Sequence, residues 1–208
     1  MRQSISRVFD EVIVTMTSAE RFELQESEYC FPYHYLPYLD NRAGVHLHRQ
    51  MAWGMEYLTY VTFVVDLIRQ RKPQSLLDVG CGDGRLIHMV KSLVPHVWGI
   101  DLSEQALRFA RAFNPDCDFL CGGIENLTER YACVTVVEVL EHIPDADVPQ
   151  FIEHLARIVE PGGCLVISVP TVNVPLSRKH YRHYDLELLR TTLEPYFQIE
   201  GSWWLCHC

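Results

Sequence analysis

From residue 75 onward, short apolar runs alternate with stretches whose apolar positions recur every three to four residues. The apolar runs predict buried strands: SLLDVG, VWGID, CDFLC, ACVTVVE and CLVISV. The intervening periodic stretches predict helices over 85–93, 103–113 and 148–159, with Pro161-Gly162-Gly163 ending the third. A short helix over 186–193 and a last strand over 197–205 complete the pattern. We therefore expect an α/β fold with a doubly wound, mostly parallel sheet and helices on both faces.

The first 70 residues do not follow this alternation. An aromatic-rich stretch, FPYHYLPY at 31–38, precedes an apolar pattern that predicts a helix over about 45–70. We expect residues 1–70 to form a partly helical N-terminal extension, acting as a lid or packing over the sheet. Residues 71–208 are expected to form the α/β domain.

Composition narrows the classes of partner. The chain has 208 residues and a net charge of -9, which disfavours nucleic acid and anionic membranes as partners. Glu56 and Asp66 interrupt the longest apolar stretch, so no membrane span is expected. Most cysteines lie in or beside predicted core strands, where a free thiol behaves as a small hydrophobe. Because no signal peptide pattern opens the chain, we expect a cytoplasmic protein. The sequence makes no prediction about oligomeric state.

The segment LLDVGCGDGRL, residues 76–86, predicts a strand, a glycine-rich turn and a helix. Such a turn presents backbone N–H groups at a helix N-terminus and lets a ligand approach closely. Asp78 at the strand end would repel a pyrophosphate but attract a cationic group. The next strand ends in Asp101, where a carboxylate can accept hydrogen bonds from both hydroxyls of a ribose. The pattern favours a nucleotide-like cofactor with a positive charge, although a Rossmann fold for another nucleotide remains an alternative.

The sequence LLDVGCGDG followed by GIDLS resembles the class I S-adenosylmethionine-dependent methyltransferases, over residues from about 75 to 197. The resemblance implies S-adenosylmethionine as cofactor and makes 71–208 the cofactor-binding domain. It also implies that Asp78 holds the ammonium, Asp101 the ribose and Leu102 the adenine. The turn facing the methionine part would comprise Gly80, Cys81, Gly82 and Gly84.

One departure from the family concerns the stretch after the third strand of the domain. Many members carry Gly-Asp-Ala there, whereas this chain has Gly122-Gly123-Ile124. The resemblance then implies that backbone groups of Gly123 and Ile124 serve the adenine in place of the aspartate.

The apolar run that ends in VVEVLEHI places Glu138, Glu141 and His142 at the carboxyl end of a core strand. E-x-x-E-H at this place is similar to the ubiquinone-pathway O-methyltransferases and the small-RNA 3′-terminal 2′-O-methyltransferases. In the RNA group a further histidine completes a divalent-metal site, and His183 matches its position. The resemblance implies Mg²⁺ or Mn²⁺ on Glu138, Glu141, His142 and His183, with Zn²⁺ or Fe²⁺ as alternatives.

Two other interpretations of these residues stay open. His142 could act alone as general base while Glu138 and Glu141 line a polar crevice, or Glu141 and His142 could only cap a turn. Leu186-Glu187-Leu188 replaces the Trp-Thr-Arg of the RNA group, and the acidic composition also disfavours RNA. The prediction is O-methylation of a small-molecule hydroxyl, with Glu138, Glu141 and His142 as catalytic residues. The alternatives are metal-dependent 2′-O-methylation of an RNA 3′ end and a catalytically silent, cofactor-binding partner subunit.

Overall fold

A computed structural model describes residues 16–29, 38–39, 45–46 and 48–203, with side chains described from 57 onward in the last range. The aromatic-rich stretch at 31–37 lies outside the described residues. The helices are α1 (Ser18–Glu26), α2 (His48–Arg71), α3 (Arg85–Val90), α4 (Glu104–Phe113), α5 (Val148–Ile158) and α6 (Leu186–Leu193). The strands are β1 (Tyr38–Leu39), β2 (Val45–His46), β3 (Ser75–Val79), β4 (His96–Asp101), β5 (Asp118–Cys121), β6 (Tyr131–Val137) and β7 (Val159–Ser168). Three 3-10 turns cover Ser27–Tyr29, Ile124–Asn126 and Leu140–His142.

Strands β3 to β7 form one five-stranded sheet in the order β5-β4-β3-β6-β7. All four neighbouring pairs are parallel, which confirms the predicted doubly wound sheet. The strand order reverses between β3 and β6. Ligands of such sheets bind outside the carboxyl ends of the strands at this reversal. The fold therefore brings the ends of β3 and β6, at Val79 and Val137, to the edge where a cofactor site is expected.

The sheet is covered on both faces by apolar clusters. Leu77 of β3 belongs to one cluster, which also contains Ile152 and Leu155 of α5. Leu76 belongs to the other, together with residues of α2, α3 and α4. Because successive side chains of a strand point to opposite faces, near-continuous apolar strands are what a sheet buried on both sides requires. In α2, Val61, Val64, Val65 and Ile68 are part of this second cluster.

Polar side chains fix where three of the helices begin. The Ser103 hydroxyl accepts a hydrogen bond from the Ala106 N–H at 3.0 Å, as the sequence predicts for the start of α4. Asp185 caps α6 in the same way, accepting from the Leu188 N–H at 2.7 Å. Helix α1 has a full capping box between Thr17 and Glu20. The start of α1 is thus encoded locally, independent of its contacts with the rest of the chain.

Three predicted element boundaries are wrong. Helix α3 ends at Val90 rather than residue 93, because the Leu93 N–H bonds back to the Val90 carbonyl in a tighter turn. Helix α5 ends at Ile158, and Pro161-Gly162-Gly163 lies inside the β7 span, where the pairing with β6 shifts register.

The predicted strand over 197–205 is absent from residues 197–203, and the remaining two lie outside the described residues. Instead of pairing with β7, this segment packs on α2. Glu200 forms an ion pair with Arg71, and the Trp203 ring lies 5.5 Å from the Phe63 ring, centroid to centroid. Among the described residues, no helix combines the length and apolarity that crossing a membrane requires.

Candidate active site

The glycine-rich turn after β3 adopts a conformation that side chains resist. Gly80 has a φ of 71°, and a Cβ there would lie 2.3 Å from a methyl of Val139. The Gly80 N–H is held by the Ile100 carbonyl at 2.8 Å, which fixes the turn against β4. The other N–H groups of the turn are also bonded within the fold: Cys81 donates to the Ile100 carbonyl, Gly82 to the Asp101 carboxylate and Gly84 to the Cys81 carbonyl. The predicted free N–H groups are therefore absent at these positions, and what the glycines offer a ligand is close approach to the backbone.

Asp78 and Asp101 flank this turn, as the sequence predicts. Asp78 is almost fully buried, and its carboxylate accepts a hydrogen bond from the Thr135 hydroxyl at 2.7 Å. Burial raises the pKa of Asp78 to about 7. Asp101 accepts from the backbone N–H groups of Gly82 and Ser103, both at 2.8 Å, while burial raises its pKa. Both carboxyls lie in surroundings where a ligand carrying positive charge or hydroxyl groups would be stabilised.

The residues predicted to surround the adenine differ in how they are presented. Leu102 is 61% exposed, an unusual state for leucine and one that leaves an apolar surface beside Asp101. The Ile124 side chain is buried in the core, so it is not available to contact a ligand. Gly122 donates its N–H to the Asp101 carbonyl at 2.9 Å, which ties this segment, with Gly123 next to it, to the end of β4.

Tyr29 was missed by the sequence reasoning, although it lies over the glycine-rich turn. Its hydroxyl is 3.1 Å from where a Cβ on Gly82 would be. Burial, and then the nearby Asp101 carboxylate, raise the pKa of Tyr29. The Gln105 amide holds the Tyr29 carbonyl at 2.9 Å. Nothing in the local sequence indicated this contact, because it depends on where the segment after α1 returns to the domain.

At the end of β6 the chain turns abruptly. Glu138 has a φ of 55°, a left-handed conformation that costs a residue with a side chain about 1–2 kcal/mol. It is held there by its N–H, which donates to the Ser168 carbonyl at 3.1 Å, and by the Ser168 hydroxyl, which donates to its carboxylate at 2.9 Å. Burial raises the pKa of Glu138. Strain of this kind is often found at functional sites.

Glu141 and His142 follow in the 3-10 turn. Glu141 is 1% exposed, and its Oε2 atom has no hydrogen-bond partner in the part of the chain that the structure describes. Burial, and then the charge of Glu138, raise the pKa of Glu141 well above its ordinary value. His142 Nε2 lies 3.8 Å from Glu141 Oε1, and burial lowers the pKa of His142 to about 4. At neutral pH His142 is therefore a neutral imidazole beside the Glu141 carboxyl, whose other oxygen, Oε2, is the unsatisfied one.

A loop over 171–185 brings further imidazoles to this turn. His180 contacts His142 edge to face, with ring centroids 4.7 Å apart, and burial lowers the pKa of His180 to about 3. Ligand atoms of Glu141, His142 and His180 all lie within 4.8 Å of one another. Glu138 and His183 do not belong to this compact group. The chain thus places His180, rather than His183, directly against Glu141 and His142, and the H-x-x-H spacing in KHYRHYD was the available signal.

Helix α1 reaches the same loop from the other side. Arg21 donates to the backbone carbonyls of Arg178 at 2.6 Å and His180 at 2.5 Å, and its guanidinium lies 4.5 Å from the centroid of the Tyr181 ring. Lys179 pairs with Glu28 at 2.6 Å. The segment from α1 to Tyr29 therefore contacts both the glycine-rich turn and the 171–185 loop.

Comparison with known proteins shows which family the chain resembles. Residues 48–207 match a family model described as a methyltransferase domain. A ubiquinone biosynthesis O-methyltransferase of Idiomarina loihiensis is 34% identical over 109 residues, covering 49% of this chain and 44% of that protein. A biotin biosynthesis bifunctional protein of Cellvibrio japonicus is 32% identical over 173 residues, covering 78% of this chain and 32% of that protein.

Among solved structures, magnesium protoporphyrin IX methyltransferase from Synechocystis PCC 6803, with S-adenosylhomocysteine bound, is similar in fold. It has a TM-score of 0.62 and 21% identity, and the match covers 74% of this chain and 78% of that one. The chain spans less than half the length of the two curated relatives. The match over 48–207, together with the parallel sheet and the turn after β3, shows that the chain belongs to the class I S-adenosylmethionine-dependent methyltransferase family.

Proposed function

We propose that this chain transfers the methyl group of S-adenosylmethionine to a hydroxyl oxygen of a small molecule. The observation that carries the proposal is the neutral, partly buried His142 imidazole next to Glu141 at the carboxyl end of β6, one strand from the glycine-rich turn. The similarity to a protein named as an O-methyltransferase supports oxygen as the acceptor atom.

The cofactor would lie across the carboxyl ends of β3 and β4. Asp78 would bind its ammonium and Asp101 its ribose hydroxyls, with Leu102 against the adenine. Tyr29 would cover the cofactor from the side of the extension. These roles agree with the burial of Asp78, the partial burial of Asp101 and the exposure of Leu102.

The reaction is an in-line displacement at the methyl carbon. The acceptor oxygen forms the new O–CH₃ bond as the S–CH₃ bond breaks, and the electron pair remains on sulfur in S-adenosylhomocysteine. The hydroxyl proton passes to a base, for which neutral His142 has the required protonation state. Holding the two reactants in line supplies most of the acceleration in such a transfer, and the base adds about 10²–10⁴-fold.

A divalent metal fits the same group of residues. Glu141, His142 and His180 offer one oxygen and two neutral nitrogens within 4.8 Å, and Glu141 Oε2 is the kind of orphaned buried atom that a cation would satisfy. One carboxylate and two imidazoles suit Mn²⁺, Fe²⁺ or Zn²⁺ better than Mg²⁺, which prefers oxygen ligands. Bound there, such an ion would lower the pKa of the attacking hydroxyl and align two neighbouring acceptor oxygens. This second version extends the acceptor class to catechols and cis-diols, including the 3′ end of RNA.

Screening acceptors with and without a divalent metal tests both the metal-free and the metal-dependent version of the proposal. S-adenosylhomocysteine release is followed with phenols, catechols and sugars, with EDTA or with Mn²⁺, and the product is identified as an O-methyl ether by mass spectrometry. His142→Gln should lower kcat/KM by 10²-fold or more while calorimetry shows unchanged cofactor affinity. His154→Asn, a change on α5, is the matched control.

Two results would contradict the proposal. Turnover that yields only N-methyl products would exclude the hydroxyl as acceptor. Cofactor binding with no turnover on any acceptor would favour a silent subunit. Calorimetric titration of Mn²⁺ into protein saturated with S-adenosylhomocysteine, compared with Glu141→Ala, separates the metal version from the metal-free one.

A further inference from the structure

The three imidazoles near the end of β6 form a connected chain. His142 contacts His180 edge to face, and His180 Nδ1 lies 2.8 Å from His183 Nε2. His183 Nδ1 in turn lies 3.2 Å from the Val174 carbonyl oxygen. The series ends on a backbone group whose role is fixed, because a carbonyl oxygen can only accept a hydrogen bond.

That fixed end determines the protonation of each ring in turn. The bond to Val174 requires a proton on His183 Nδ1, so in the neutral ring His183 Nε2 carries a lone pair. The 2.8 Å bond to His180 must then be donated by His180 Nδ1. In a neutral His180, the Nε2 atom is left unprotonated.

We propose that His180 presents an unprotonated Nε2 to the acceptor site and that His183 is the positioning residue that sets this tautomer. His180 Nε2 is then available as a second proton acceptor beside His142 or as a metal ligand. In this arrangement His180, and not the predicted His183, joins Glu141 and His142 in the candidate metal-ligand set. His183 instead orients His180 through their hydrogen bond. The use of the lone pair rests on the proposed function, whereas the tautomer itself does not.

The backbone of the loop is built to hold His180 in place. The Tyr181 N–H donates to the Glu141 carbonyl at 2.8 Å, and Arg21 holds the His180 carbonyl from the opposite side. His183 is 9% exposed and therefore largely protected from water that would compete for its hydrogen bonds. Groups that orient a functional imidazole through its second nitrogen commonly change activity or metal affinity by 10–100-fold when they are removed.

Nitrogen-15 NMR of the histidine-labelled full chain, saturated with S-adenosylhomocysteine and free of metal, reads the tautomers without any turnover. We expect both His180 and His183 as the Nδ1–H form, which is the minor tautomer of a free imidazole. Single substitutions assign the resonances, with His154→Asn as the control that removes one signal and changes no other. Finding His180 as the Nε2–H form or as a charged imidazolium would overturn the inference.

Two variants of His183 test its positioning role. His183→Ala removes the acceptor, so His180 should revert to the Nε2–H form, and kcat should fall by 10–100-fold with little change in the acceptor KM. In His183→Gln, the amide can donate to Val174 and its carbonyl can accept from His180, so the Nδ1–H form of His180 and most of the activity should return.

Equal loss in the Ala and Gln variants, with the His180 tautomer unchanged in both, would overturn the positioning role. If no acceptor is ever methylated, the proposed function fails while the NMR result stands on its own. If His183→Ala does not fold, the unmodified chain and the Gln variant still decide the question.

Discussion

The buried Asp78 carboxylate destabilises the folded protein at neutral and higher pH, and the same residue is proposed to bind the ammonium group of the cofactor. In the folded protein its pKa is about 7, above the ordinary value of 3.8, because the carboxyl is buried. A raised pKa in the folded state means that folding favours the protonated form. The stabilising contribution of that proton is complete below about pH 4 and is lost as the pH rises toward and through 7.

Asp78→Asn should therefore stabilise the cofactor-free protein at pH 8 by up to about 4 kcal/mol, at about 1.4 kcal/mol for each pKa unit. The advantage over the parent should shrink as the pH falls toward 5. Affinity for S-adenosylhomocysteine should drop by more than tenfold, because the ammonium loses its counter-charge. Urea unfolding at several pH values and calorimetry check the two effects. A stability difference that does not vary with pH would contradict the argument.

Glu138 and Lys72 share a left-handed backbone, with φ values of 55° and 50°. Glycine adopts this conformation freely, so at both positions a Gly variant should be more stable than the Ala variant by about 1 kcal/mol. At most helix and strand positions the order is the reverse. Thermal or urea unfolding of the four variants measures these differences.

Activity should separate the two positions. Both variants of Glu138 should lose turnover, because they lack the carboxylate that accepts from Ser168. Both variants of Lys72, at the end of α2 and away from the proposed site, should keep it. An Ala variant of Glu138 as stable as the Gly variant would show that the turn after β6 relaxes without its side chain.

At the scale of elements, α1 connects the extension to the loop of the proposed acceptor site. Arg21→Ala removes two hydrogen bonds to loop carbonyls and the contact with the Tyr181 ring. The 171–185 loop should become more mobile, and the acceptor KM should rise several-fold with a smaller change in kcat. Glu23→Ala, an exposed change on the same helix, is the control. Steady-state kinetics and faster amide exchange over 178–183 are the measurements. Unchanged exchange there would mean that α1 does not hold the loop.

The elements also show where sequence patterns stop being informative. The starts of α4 and α6 follow from Ser103 and Asp185, whose side chains cap a helix within three residues. The path of the run after Phe197 depends instead on contacts with distant parts of the chain, such as that of Trp203 with Phe63. Local sequence patterns contain no information about such long-range contacts.

At the scale of the whole molecule, the parallel sheet was predictable from apolar periodicity, and the position of the turn after β3 from its closely spaced glycines. The roles of individual histidines were not. His180 and His183 are equivalent by residue type and spacing, and only the direction of the 171–185 loop places one against Glu141 and the other behind it. Tyr29 is a similar case, because its contact with Gly82 spans more than 50 positions of sequence.

Arg21 donates hydrogen bonds to the backbone carbonyl oxygens of Arg178 and His180, and every residue has such an oxygen. These two hydrogen bonds do not depend on which side chains stand at positions 178 and 180. Substitution of the exposed Arg178 would therefore alter the shape and charge of the 171–185 loop, which contacts the proposed acceptor site through His180, while the attachment to α1 persists. We therefore expect single substitutions in this loop to change acceptor specificity without detaching the loop from α1. Position 178 is a suitable first target for laboratory evolution of specificity.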